Sequence, residues 1–188
     1  MLPTRETYQV EIAGISRKLP LFEVAPGLRI AVLNILGDTE LVQACAAALA
    51  KKLSRVEHDL LVTAEAKSIP LIHALSVAMD DRRYVVLRKA YKPYMGETLK
   101  AETVSITTGS PQTLFLDEKD RSLVDGSRVV LIDDVISTGS TLKGMRDVIT
   151  RAGGNVVGEA AIFTEGDRAK WQGIIALGHL PLFTENAG

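Results

Sequence analysis

At 188 residues the chain can enclose one ample hydrophobic core and hardly two. Apolar residues make up 46% and charged residues 24%, and a formal net charge of −1 leaves no bulk attraction to nucleic acid or to a membrane surface. The opening MLPTRETYQV lacks an apolar signal core, no run approaches membrane-spanning length, and the single cysteine, Cys45, excludes an intramolecular disulfide and a cysteine-based zinc site; a cytoplasmic protein is expected.

The first helical pattern runs from Asp38, a residue type that caps helix N-termini, to Arg55, with Val42, Cys45, Leu49 and Leu53 on one face. Cys45 on that stripe reads as core. Asp59 to Thr63 is a short strand. Ser68 stands where it could cap the next helix, Pro70 fits its first turn, and Leu71, Ile72, Leu75 and Met79 form its apolar side. Tyr84 to Leu87 is a further β signal. Residues 89–116 break the rhythm. Lys89, Lys92, Pro93, Gly96 and Lys100 precede two β-like runs around Val104 and Leu114, which reads as a two-stranded flap, with residues 91–112 as a mobile lid. Val129 to Ile132 is a buried-strand run. Thr141 to Ala152 is a helix with Leu142, Met145, Val148 and Ile149 inward, stopped by Gly153 and Gly154. Asn155 to Phe163 is the last core strand.

Strands separated by helices imply an α/β fold, a twisted parallel sheet flanked by helices on both faces. Residues 1–35 and 174–188 lie outside this alternation as flanks of one domain. Ligands of such sheets bind beyond the carboxyl ends of the strands. Three loops share that edge: Ala64 to Ser68, Asp133 to Thr141 and Thr164 to Asp167.

The most informative stretch is VVLIDDVISTGSTL, Val129 to Leu142. A buried strand ends in two adjacent carboxylates, Asp133 and Asp134. It then passes through Ser137, Thr138, Gly139, Ser140 and Thr141 into a helix. Backbone N–H groups and the helix dipole at such a turn favour a phosphate, and the carboxylates can accept hydrogen bonds from sugar hydroxyls. The bland alternative is an ordinary strand–loop–helix turn with a solvated acidic cap.

This segment resembles the signature of the type I phosphoribosyltransferases. The resemblance implies that Asp133 and Asp134 contact the ribose hydroxyls of 5-phosphoribosyl 1-diphosphate. It also implies that Val135, Ile136, Ser137, Thr138, Gly139, Ser140 and Thr141 form its 5′-phosphate loop. Glu65, Ala66, Lys67 and Ser68 coincide with the family's diphosphate loop, where a lysine charge and free N–H groups suit a diphosphate. The family often carries an Arg-Gly or Ser-Gly pair here, whereas this chain has Lys67 and Ser68. The LRKAYK run, with Arg88, Lys89 and Lys92, resembles the I-R-K-x-x-K run of adenine phosphoribosyltransferases, whose cations approach the diphosphate. A solubilising strand end is the other reading. VLNILGD resembles a stretch of xanthine phosphoribosyltransferases in which Asn reads the purine; Asn34 could equally bond its own backbone. Thr107 and Thr108 stand where adenine enzymes carry Glu-Tyr, which weakens adenine as the substrate. Phe163 to Asp167 should approach the base, with Phe163 either stacking on it or joining the core. His58, His73 and His179 are dispersed and have no metal-ligand spacing.

The resemblance covers roughly residues 30 to 165. It implies a purine phosphoribosyltransferase joining a base to ribose 5-phosphate and releasing diphosphate. Mg²⁺ is then required, held mainly through substrate and water oxygens rather than by direct protein ligands. The flanks would form a hood over the base, and a homodimer is usual. The rival reading is a non-catalytic sensor of 5-phosphoribosyl 1-diphosphate.

Overall fold

The computed structural model describes residues 6–104 and 111–184 of the chain. The N-terminal flank forms three antiparallel strands, β1 (Thr7–Ile12), β2 (Ile15–Ala25) and β3 (Leu28–Ala31). Helix α1 (Thr39–Leu53) follows, started by Asp38, whose carboxylate accepts from Leu41 N at 3.2 Å. Arg17 of β2 grips Asp38 at 2.7 Å and Glu40 at 2.7 Å, so one guanidinium ties the flank to this helix start. The alternation then runs β4 (Leu60–Ala64), α2 (Ile69–Ala78) and β5 (Tyr84–Leu87). Next come the hairpin β6 (Leu99–Val104) and β7 (Pro111–Leu116), and the single-turn α3 (Arg121–Val124). The chain continues as β8 (Arg128–Ile136), α4 (Ser140–Arg151), β9 (Asn155–Glu165), β10 (Ile175–Leu180) and β11 (Phe183–Thr184).

The central sheet has the order β10-β9-β8-β4-β5 and every pairing in it is parallel. Its side chains alternate faces with the period of two that a pleated strand imposes. Leu61, Val130, Ile132, Ala160 and Ile162 face one core, shared with α1 and α2. Leu60, Val62, Val129, Leu131 and Ala161 face a second core, shared with α4 and the hairpin. Between β4 and β8 the chain order reverses. The loop after β4 leads to α2 on one face, and the loop after β8 leads to α4 on the other. The two loops part and leave a crevice at the carboxyl edge of the sheet, where α/β sheets bind ligands.

Several boundaries differ from expectation. The acid pair does not follow β8 but lies within it, because β8 continues to Ile136. Residues 174–188 do not act as one flank. Ile175 to Leu180 pairs with β9 as the fifth parallel strand, and only Phe183–Thr184 joins β3. The flap is two-stranded, but its root is packed. Met95 and Ala101 are buried, and Ala101, Leu114 and Leu116 sit in the second core against α4. Arg88 and Phe115 exchange two backbone hydrogen bonds of 2.9 and 2.8 Å, which pins the hairpin to the end of β5. The root of the hairpin is therefore held against the body of the domain. Thr107 and Thr108 lie outside the described residues.

Candidate active site

Ser68 stands at the N-cap position of α2, yet its hydroxyl makes no cap. It lies instead 2.9 Å from Asp133 Oδ1 and 3.2 Å from Asp134 Oδ1, and it accepts from Asp134 N at 3.0 Å. A serine hydroxyl has one proton, so it can serve only one carboxylate at a time. The Asp134 N–H also points to Asp133 Oδ1, at 2.9 Å. Lys67 Nζ sits 3.0 Å from Asp134 Oδ2 and donates to Leu33 O at 3.3 Å. That Asp134 oxygen is buried and, although ion-paired to Lys67, has no in-line hydrogen bond. Burial is the main reason the Asp133 carboxyl is pushed up to about 7, with the neighbouring Asp134 charge adding to it. Two carboxylates from the end of β8 and a hydroxyl and an ammonium from the loop after β4 thus form one polar cluster at the switch point.

The rest of the β4 loop is tied down as well. Its Glu65–Ala66 peptide is cis. Glu65 accepts from Arg88 Nε and from Lys89 N, both at 2.6 Å. Burial opposes ionisation of Glu65, but these two donors outweigh it and hold the carboxyl below its usual range. The Arg88 charge is therefore spent on Glu65 rather than presented freely. Lys89 and Lys92 are exposed beside it, as is Ala66.

The β8 loop is organised differently. Gly139 adopts a left-handed conformation, φ 76°, at the N-cap of α4, a backbone that side chains rarely tolerate. Thr138 and Ser140 hydroxyls bond each other at 3.0 Å. Together with Val135, Ile136, Ser137 and Thr141 they line a shallow cup at the helix N-terminus. The Ile136 side chain is buried in the second core, so only its backbone reaches the cup.

Ser137 and Thr138 also border a larger cavity of about 530 Å³. One wall is the antiparallel flank, through Phe22, Val24, Leu28 and Ile30; the opposite wall runs from Glu165 to Asp167 and on to Lys170 and Trp171. Trp171 Nε1 donates to Glu165 O at 2.8 Å, and its ring packs so closely over Gly139 that an added Cβ would meet it at 3.0 Å. An apolar cavity with a few polar groups, opening beside an anion cup, suits a flat heteroaromatic ligand with a phosphorylated tail.

Residues 32–173 match the family model described as a phosphoribosyl transferase domain. The chain belongs to that family. Among relatives, a hypoxanthine/guanine phosphoribosyltransferase of Methanococcus maripaludis (strain C6) is 34% identical over 116 residues, 62% of this chain and 58% of that protein. The purine biosynthesis transcriptional repressor PurR of Bacillus subtilis is 30% identical over 135 residues, 72% of this chain and 46% of the repressor. The chain thus spans little more than half the length of the first of these curated relatives. In fold, it superposes on adenine phosphoribosyltransferase from Thermoanaerobacter pseudethanolicus with a TM-score of 0.65 at 23% identity, covering 93% of this chain and 95% of that one.

Within this phosphoribosyl transferase domain, the positions singled out in the sequence fall into three groups. Asp133, Asp134, Lys67 and Ser68 converge, and the segment from Val135 to Thr141 lines the adjoining cup. Asn34 is exposed, and its side chain accepts from Leu36 N at 3.2 Å, the local-turn alternative; it does not line the cavity. Phe163 is 3% exposed in the first core, pressed against Gly178, and is not available to stack on a base. Burial of apolar area at a strand interior outweighs any ligand role there. Trp171 and Phe22 wall the cavity instead. Periodicity gives no sign of either, since Phe22 comes from the antiparallel flank and Trp171 from the connection between β9 and β10.

Proposed function

We propose that this domain transfers ribose 5-phosphate from 5-phosphoribosyl 1-diphosphate to a ring nitrogen of a purine base and releases diphosphate. The observation that carries the reading is the cluster of Asp133, Asp134, Ser68 and Lys67, flanked by an anion cup on one side and an aromatic-lined cavity on the other. The relatives named as hypoxanthine/guanine phosphoribosyltransferases support it.

In this reading the α4 N-terminus and the Ser137–Thr141 backbone hold the 5′-phosphate. Asp133 and Asp134 accept from the two ribose hydroxyls, replacing Ser68 and Lys67 as partners. Lys67, released from Asp134, faces the departing diphosphate, where negative charge grows in the transition state. The base lies in the cavity with its nitrogen in line with the anomeric carbon. Among the described residues no three acidic, histidine or cysteine side chains form a metal cage. The two carboxylates do fit a Mg²⁺ ion that arrives on the diphosphate and keeps waters in its shell, Asp134 Oδ2 being the oxygen still without an in-line hydrogen bond. Magnesium would neutralise diphosphate charge there. The flap as a lid, a homodimer and a cytoplasmic setting belong to the same proposal. No described helix is long and apolar enough to cross a membrane.

Incubation with 5-phosphoribosyl 1-diphosphate, Mg²⁺ and a panel of adenine, guanine, hypoxanthine and xanthine tests the reading through base-dependent diphosphate release. The likeness to a purine repressor favours one rival, a non-catalytic sensor. Tight binding of the sugar diphosphate without turnover of any base would establish the sensor and remove the enzyme.

A further inference from the structure

Glu165 closes β9 and lines the 530 Å³ cavity, yet the residue is only 5% exposed. Its carboxylate has no hydrogen-bond or ion-pair partner among the described residues. The other acids on the cavity are already served: Glu23 accepts from Gly27 N at 3.1 Å and Asp167 from Ala169 N at 3.0 Å. Lys170, a cation on the same wall, makes no ion pair with Glu165. Burial without a donor pushes the Glu165 carboxyl up from its ordinary range. A desolvated carboxylate is costly until something supplies donors. The backbone of Glu165 is held by Trp171, so the carboxylate has a fixed origin beside an aromatic wall.

We propose that Glu165 is a specificity-determining residue that reads two adjacent N–H donors on the edge of the base, the ring N1–H and the exocyclic 2-amino group of a 2-amino-6-oxopurine. This rests on the phosphoribosyltransferase reading and deepens it. A carboxylate presents two acceptor oxygens side by side and no donor. Guanine matches both. Hypoxanthine lacks the amino group and leaves one oxygen unserved. Adenine turns its own N1 acceptor toward the carboxylate. A site built around a buried polar group rejects the analogue that fails to pair with it.

Calorimetry on the full chain with guanosine and inosine 5′-monophosphates tests the assignment without depending on turnover. The unmutated protein should bind the guanosine nucleotide about tenfold or more tighter, as expected for a hydrogen bond to a charged group. Glu165→Gln keeps the shape but offers one donor and one acceptor, and should collapse that ratio to within about threefold, the usual context-dependent spread. Glu165→Leu, which removes an unpartnered buried charge and so should not unfold the domain, should collapse it too. Equal affinity in the unmutated protein, or a ratio that survives both substitutions, overturns the inference and leaves the phosphoribosyltransferase reading standing. Binding of neither nucleotide overturns both.

Discussion

The two loops that flank the crevice reach the same edge by opposite means. In the β4 loop every polar side chain is committed: Glu65 to Arg88 and the Lys89 amide, Lys67 to Asp134, Ser68 to the acid pair. In the β8 loop almost nothing is committed beyond the contact between Thr138 and Ser140, and Gly139 leaves the start of α4 open. Under the proposed function the first loop exchanges partners when an anion arrives. The second is a preorganised backbone cup. Cations near a strand end therefore mark where a diphosphate goes only after their internal partners are known.

The contrast can be broken at its centre. Asp134→Ala removes the group that Lys67 and Ser68 both address, so we expect the largest loss. Affinity for 5-phosphoribosyl 1-diphosphate should fall by roughly 10–150-fold, the range for a hydrogen bond to a charged group. Calorimetry showing unchanged affinity would remove Asp134 from the sugar site.

Asp133→Asn separates binding from stability. The folded carboxyl is raised to about 7 from an ordinary 3.8, chiefly by burial. Between those values the folded protein holds a proton that the unfolded chain has lost, so this residue makes stability fall as pH rises from about 4 to about 7. The variant should lose that slope and melt a few degrees higher at pH 7.5, roughly what 1 kcal/mol gives in a domain of this size, while binding sugar more weakly. Equal melting slopes for the two proteins would refute the assignment.

Gly139→Ala tests whether the β8 cup is preorganised by its backbone. A side chain at φ 76° that meets Trp171 at 3.0 Å should cost about 1 kcal/mol. Because Trp171 is the sole tryptophan, intrinsic fluorescence should shift with it. Full stability and an unchanged spectrum would show the cup to be soft.

Lys67→Ala should have the smallest effect, a few-fold, because the lysine is half-exposed and its charge is screened. The loss should fall on the sugar diphosphate and kcat, and hardly on a nucleotide product that lacks diphosphate. Equal weakening of both ligands would mean that Lys67 only supports Asp134.

The contiguous motif was readable because its parts are local. Strand, acids, turn and helix follow one another within Val129 to Ala152, and period-two and helical patterns need no distant partner. The same holds for Asp38 as a cap, for Cys45 in the core and for the parallel α/β alternation. Ser68 shows where such reading stops. A serine before a helix reads as a cap, but its hydroxyl is drawn 65 residues away, to Asp133, where a buried carboxylate needs a donor more than a helix end does.

Local composition and periodicity, then, were enough for α1, β4, α2, β5, β8, α4 and β9, for a parallel sheet, and for the turn that opens α4. Tertiary structure alone decided which cations are already neutralised, that Phe163 packs inward while Trp171 and Phe22 wall the cavity, that Ile175 to Leu180 completes the central sheet, and that Glu165 is left without a partner. The physical reason is one of range. Patterning acts over a turn or a strand pair, whereas burial and charge pairing are settled by whichever distant groups the folded chain brings within about 3 Å of one another.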